Sequence, residues 1–218
     1  MTTCNSGNYT KRRTGEIQYL VLHYTANNGD TAQNNATYFA NNVVYASVHY
    51  FVDESGVVQS VDDGDTAWHC GASSYVHPTC RNGNSIGIEM CSRKDDNGNY
   101  YIKDETVANA LELTKKLMET YGIPAENVVR HYDVTGKSCP APWVLDTAQW
   151  TTFKTNLETE EPAMTYYQTI QDVPDWATET VEKLMDKGYL QGDETGLNLE
   201  HNALRNLVIN DRAGLYNQ

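Results

Sequence analysis

No stretch of about 20 apolar residues occurs in the chain, so nothing in it reads as a membrane span. Positive charge is scarce: 16 Lys and Arg stand against 29 Asp and Glu, a net charge of −13. That balance speaks against a nucleic-acid partner held by phosphate neutralisation, and against an anionic membrane surface. The five cysteines (Cys4, Cys70, Cys80, Cys91 and Cys139) form no CxxC pair and are odd in number, which argues against a disulfide scaffold at 218 residues. Cys70 and Cys80 could bridge the Gly/Ser/Pro loop between them, but two reduced thiols are preferred. No HExxH helix motif and no repeat of solenoid period is present. The opening MTTCNSGNYTKRR lacks the apolar core of a secretory signal, so a soluble acidic protein made in a cytoplasm is expected.

What is there is a mixture of strand and helix patterns. Residues 18–24 form a short apolar strand-type run, and 84–90 form another. Val48–Val52 and Val57–Val61 flank Asp53-Glu54-Ser55-Gly56, which reads as a hairpin. Asp30 is placed to cap a helix through Asn41. Glu105–Tyr121 is the longest helix, with an apolar stripe at Val107, Leu111, Leu117, Met118 and Tyr121 ended by Gly122 and Pro124. Val128–His131 reads as a short strand, and Asp146 as the cap of a helix carrying Trp150, Phe153 and Leu157. A hairpin plus strands separated by helices predicts an α/β fold: a mixed central β-sheet flanked by helices. The composition breaks at an acidic stretch ending in Pro162. This predicts a domain at 1–157, a linker at 158–165 and a small helical unit at 166–218.

Histidines mark the strands. Period two puts Tyr19, Val21 and His23 on one face of their strand, and Ser85, Gly87 and Glu89 on one face of theirs. A carboxylate flanked only by glycine and serine is costly to bury without a partner. Glu89 is therefore either a solvated strand residue or the floor of a polar cleft, and the strand alone leaves both open. His131 and Cys139 lie eight residues apart across a Gly-containing turn and can converge on one cation; imidazole with thiolate favours Zn²⁺ over Mg²⁺ or Ca²⁺. His23, at the end of its strand, is the natural third ligand, although a lone histidine is more often structural.

The segments around these residues resemble, in order, those of the zinc-dependent N-acetylmuramoyl-L-alanine amidases of the type-2 class. That class includes phage-lysozyme-type amidases and peptidoglycan recognition proteins. The resemblance rests on 21–26 (VLHYTA), 47–53 (SVHYFVD), 67–71 (AWHCG), 84–89 (NSIGIE), 129–131 (VRH) and 136–140 (GKSCP), within residues 16 to 157. It implies a zinc cleft with His23, His131 and Cys139 as metal ligands, Glu89 as general base and Lys137 beside the oxyanion. His69 is implied in the substrate groove. His49 and Tyr50 are taken with it as substrate-binding residues, His49 as a supporting histidine rather than a fourth ligand. Val48 stands where one branch of the class has a catalytic tyrosine, with Tyr50 two residues on as a partial substitute, so the base role moves to Glu89. The implied substrate is peptidoglycan, cut at the amide between N-acetylmuramic acid and L-alanine. The expected setting is a phage or prophage endolysin acting on the bacterial wall, the rival being a non-catalytic peptidoglycan-binding protein.

Residues 160–218 hold 4 basic and 11 acidic residues. Asp175 is placed to cap one amphipathic helix, and a second follows near Leu199–Ala213. A unit this small is expected to target the wall or to assemble chains into a homo-oligomer. Its net negative charge speaks against direct attraction to anionic wall polymers. The candidate platforms are instead aromatic: Tyr166, Tyr167, Trp176 and Tyr189.

Overall fold

The computed structural model describes residues 1–159 and 166–216, and divides the chain into two units that meet at Thr159 and Glu160. The expected linker therefore falls mostly outside the described residues; of its positions, Glu158 ends a helix. The first unit runs β1 (Tyr9–Thr10), β2 (Tyr19–Tyr24), α1 (Ala32–Asn41), β3 (Tyr50–Asp53), β4 (Gly56–Gln59), β5 (Thr66–Ala67) and β6 (Ser85–Met90). It continues through β7 (Ser92–Lys94), β8 (Tyr100–Ile102), α2 (Asp104–Tyr121), β9 (Val128–Arg130), α3 (His131–Thr135), α4 (Ala141–Leu145) and α5 (Thr147–Glu158).

A five-stranded mixed sheet in the order β4-β3-β6-β2-β9 forms the centre. β2 lies between β6 and β9, parallel to both, and β3 runs parallel to β6; β4 is the antiparallel edge. Apolar residues on both faces of β2 suit a strand covered on both sides, whereas β6 is apolar on one face only. On one face Leu20, Leu22, Ile86, Ile88 and Met90 are fully buried against α2 and against Trp143 and Phe153 of α4 and α5. On the other, Val21, Val129, Cys70 and Cys80 form a second cluster, and α1 packs Ala32 and Ala36 against Val48 and Phe51.

Several local expectations shift. Thr31, not Asp30, caps α1, its hydroxyl accepting from Asn34 N–H, while Asp53 accepts from Ala32 N–H at 2.7 Å. The fully buried side of α2 is Thr106, Ala110, Thr114 and Leu117, and Val107, Leu111, Met118 and Tyr121 sit beside it partly exposed. Small residues let the helix approach the sheet, and Thr114 satisfies its hydroxyl by donating to Ala110 C=O at 2.6 Å. The hairpin forms with shorter strands, its turn held by Asp53 Oδ1 accepting from Ser55 and Gly56 N–H. Asp146 caps α5 as expected. His131 is the first residue of α3 rather than the last of a strand, and α4 had no forecast.

The second unit contains β10 (Tyr166–Tyr167), α6 (Asp175–Asp186), β11 (Leu199–Glu200) and α7 (His201–Arg212). Its core is its own: Val173, Ala177, Val181, Leu199, Leu204 and Val208 are buried together. Asp175 lies inside α6 after Pro174 and makes no cap bond, whereas Glu200 caps α7 by accepting from Asn202 and Ala203 N–H. Tyr167 is buried in this core, which removes it from the candidate platforms.

Candidate metal centre

The carboxyl ends of the parallel strands β2, β6 and β9 come together on the face opposite α2. His23 and Glu89 are register partners on β2 and β6, so both project to this face. β9 ends at Arg130, whose guanidinium pairs with Asp133 at 2.7 Å and donates to Trp143 C=O, and these bonds fix where α3 starts. α3 is one turn long. Gly136, at φ 80, takes the left-handed conformation that ends it. The chain then doubles back: Tyr132 N–H donates to Cys139 C=O at 2.9 Å, which brings Cys139 beside His131.

His23, His131 and Cys139 are all buried, and one potential ligand atom from each lies within 4.8 Å of the others. A chain of hydrogen bonds sets the state of His23. Ser85 Oγ–H donates to Arg81 C=O at 2.7 Å, so it accepts from His69 Nε2–H at 3.1 Å. His69 Nδ1 then accepts from His23 Nε2–H at 3.1 Å, which leaves the His23 Nδ1 lone pair facing Cys139 Sγ at 3.8 Å. An imidazole held by its outer N–H while its other nitrogen points inward is the arrangement of a metal ligand. Burial, with the neighbouring histidines, holds His23 far below the usual imidazole range, and burial with Lys137 brings His131 down to about 4. Both rings are therefore neutral at pH 7 and able to ligate.

The donor set fits a zinc ion. The buried His131 Nδ1 has no hydrogen-bond partner among the described residues, and an orphan of this kind is costly unless something outside the protein meets it. Burial raises the Cys139 thiol to about 12, so an ion bound there would have to displace its proton.

Glu89 opens into the cleft beside this cluster and makes no hydrogen bond or ion pair with a described residue. Burial pushes its carboxyl up to about 8, against the pull of Lys137. Lys137 is exposed on the turn after Gly136 and borders two adjoining hollows. The inner one, about 300 Å³, holds His23, Glu89, His131 and Cys139. The outer one, about 570 Å³, runs along Tyr45, Gly71, Ser73 and Asn82. Trp68, His69, His131 and Lys137 line both, so the two form one groove.

Two expected groove residues are elsewhere. His49 is fully buried and lines neither hollow: Gly87 N–H donates to its Nδ1 at 3.0 Å, and its Nε2 lies 2.9 Å from Arg13 Nη2. Tyr50 faces the α2 side, where its hydroxyl donates to Asp63 at 2.9 Å. Alternation counted from Val48 fails because β3 begins only at Tyr50: Val48 lies outside the strand and the chain bends at His49. Three supporting residues had been missed as such: Ser85, Gly87 and Trp68. A Cβ on Gly87 would lie 2.7 Å from His69 Cγ, so only glycine lets that ring lie flat on β6. For Ser85 and Gly87 the signal was the run of small residues on Glu89's side of the strand. Cys70 and Cys80 are both free thiols, fully buried in one cluster.

Fold and donors define a class: a mixed α/β protein with a His-His-Cys metal-type centre at the carboxyl ends of parallel strands, reached by an open groove. Residues 13–142 match the sequence model of the N-acetylmuramoyl-L-alanine amidase family, and the chain belongs to that family. It is similar to a probable N-acetylmuramoyl-L-alanine amidase of Bacillus licheniformis, 38% identical over an alignment of 151 residues that covers 65% of this chain and 41% of that protein. It is also similar to the N-acetylmuramoyl-L-alanine amidase BlyA of Bacillus subtilis (strain 168), 36% identical with the same two coverages. The chain therefore spans less than half the length of these relatives. Among solved structures, PlyL superposes with a TM-score of 0.61 at 25% identity, over 73% of this chain and 96% of that one. A mutant endolysin from Bacillus subtilis gives 0.59 at 30% identity, over 72% and 96%.

Proposed function

We propose that the chain hydrolyses the amide between the lactyl group of N-acetylmuramic acid and L-alanine in peptidoglycan, as an endolysin-type enzyme, with His23, His131 and Cys139 holding one zinc ion. The observation that carries this is the convergence of these three donors in a cleft that also holds Glu89. The names of the relatives and the likeness to an endolysin support the bond and the setting.

Bound there, zinc supplies Lewis-acid polarisation of the amide carbonyl and a water acidic enough to attack at neutral pH. The protein supplies the rest. Glu89, facing the cleft with no fixed partner, is placed to take a proton from the attacking water and return one to the departing L-alanine amine. Lys137 borders the cleft as a cation for the negative charge that builds on the carbonyl oxygen. His69 and Trp68 form the groove wall along which the glycan and stem peptide lie. The second unit serves wall targeting or chain assembly, and its surface favours the first. Among the described residues no helix is long and apolar enough to cross a membrane.

The test is a digest of purified walls followed by mass spectrometry. New N-terminal alanine without new reducing sugar ends is expected, whereas accumulating reducing ends would mean a glycosidase.

A further inference from the structure

The acidic second unit has one face of opposite sign. A hollow of about 390 Å³ is lined by Trp176 of α6 and by His201, Arg205, Val208, Ile209 and Arg212 of α7, with no carboxylate among them. His201, Arg205 and Arg212 recur at helical spacing, so they share one side of α7. Ile209, 59% exposed, and Trp176, 44% exposed, give that side an apolar floor. The Trp176 ring meets His201 edge-on at 6.0 Å, and Tyr167 fixes His201 through a 2.8 Å hydrogen bond.

Some of the unit's other charges are engaged elsewhere: Asp172 accepts from Thr169, Asp193 from Thr195 and Asn198, Glu200 caps α7, and Asp211 pairs with Lys183 at 2.6 Å. Asp175, Glu179, Glu182, Asp186 and Glu194 do not line the hollow. Arg205 and Arg212 are exposed and make no hydrogen bond or ion pair with a described residue. Two free guanidinium forks beside an exposed indole, in a unit otherwise rich in acids, call for an anionic partner that also presents a ring.

The geometry points to Trp176, His201, Arg205 and Arg212 as a binding site for a phosphodiester-linked glycopolymer of the bacterial wall. Arg205 and Arg212 stand seven residues apart, roughly 10 Å along the axis of α7, a spacing that suits successive charges along a polymer. Each fork takes a phosphate through two parallel hydrogen bonds, and the indole face and Ile209 take a sugar or polyol segment between them. The negative sum over the unit does not oppose this, because charges beyond about 8 Å are screened at physiological salt while the arginines meet the ligand directly. The inference rests on the wall-directed reading above for its choice of polymer.

The experiment uses the full chain. Its binding to purified walls is compared with binding to walls stripped of phosphodiester polymers, for wild type and for Arg205→Ala/Arg212→Ala. Cleavage of a soluble muramoyl-peptide is measured in parallel. Wild type is expected to lose most of its wall binding on stripping. The double variant should bind intact walls at least about tenfold more weakly, gain nothing from the polymer, and cleave the soluble fragment within about twofold of wild type. Arg205→Lys/Arg212→Lys, which keeps the charge, should fall between the two. Undiminished wall binding by the alanine pair would overturn the site, as would wild-type binding indifferent to stripping. Two further results would do the same: competition by duplex DNA as strong as by isolated polymer, or a change in mass per particle by light scattering, which would make this face a contact between copies. Absent cleavage of the soluble fragment by wild type would instead strike the proposed activity and leave the site standing.

Discussion

On the α2 side of the central sheet, Leu20, Leu22, Ile86, Ile88 and Met90 are fully buried among apolar neighbours. One residue further along the same strands, the opposite side carries His23, Ser85, Gly87 and Glu89. The first side is filled for stability. On the second, a carboxyl faces a cleft without a hydrogen bond and an imidazole nitrogen is buried without a partner, both of which cost stability. A pleated strand with period two puts these two sides within one residue of each other, so a rigid core directly supports a strained polar site. Substitutions on the two sides should therefore separate stability from activity.

The largest separation is expected at Glu89. Glu89→Gln should lower the rate of amide cleavage by roughly 10²–10⁴-fold. It should also raise the melting temperature of the metal-free protein. The Glu89 carboxyl is held near 8 when folded, against an ordinary 4.5, so its contribution to stability is fully present below 4.5 and is lost as pH rises through 8. The advantage of the glutamine should thus grow across that window in melts recorded with a chelator. A variant as active as wild type, or no more stable at pH 8 than at pH 4.5, would break the comparison.

Ile88→Ala, one position back on the other side, should do the reverse. Truncating a fully buried isoleucine costs about 2–5 kcal/mol, read as a shift in the denaturant midpoint. The rate per folded molecule should stay within a few-fold of wild type.

Gly87→Ala lies between these cases. Its methyl meets the His69 ring, which must move, and His69 holds the His23 tautomer. We expect weaker zinc retention and about a tenfold slower rate with only a modest loss of stability. If zinc affinity is unchanged, His69 does not position His23.

The strands, the hairpin and the long helix were legible because hydrophobic period and turn residues are local signals. That His23, His131 and Cys139 come together was legible from residue type, order and the family resemblance. What could not be read is what depends on tertiary context. The buried side of α2 is set by how closely the helix can approach the sheet, so Thr106, Ala110 and Thr114 displace the larger apolar residues that the stripe favoured. Tyr50 falls on the α2 face because the chain bends at His49 and the alternation starts only at Tyr50, and nothing in the sequence marks that bend. The cationic face of α7 was hidden behind the net charge of its unit, a sum that carries no direction.

On this reading the polar side of the sheet is built around one metal ion. Elemental analysis of purified protein tests it directly, comparing wild type with Cys139→Ser and His23→Ala. About one zinc per chain is expected in wild type and close to none in either variant, with both still folded. Undiminished zinc in Cys139→Ser, or a wild type that takes up none when zinc is offered, would contradict it.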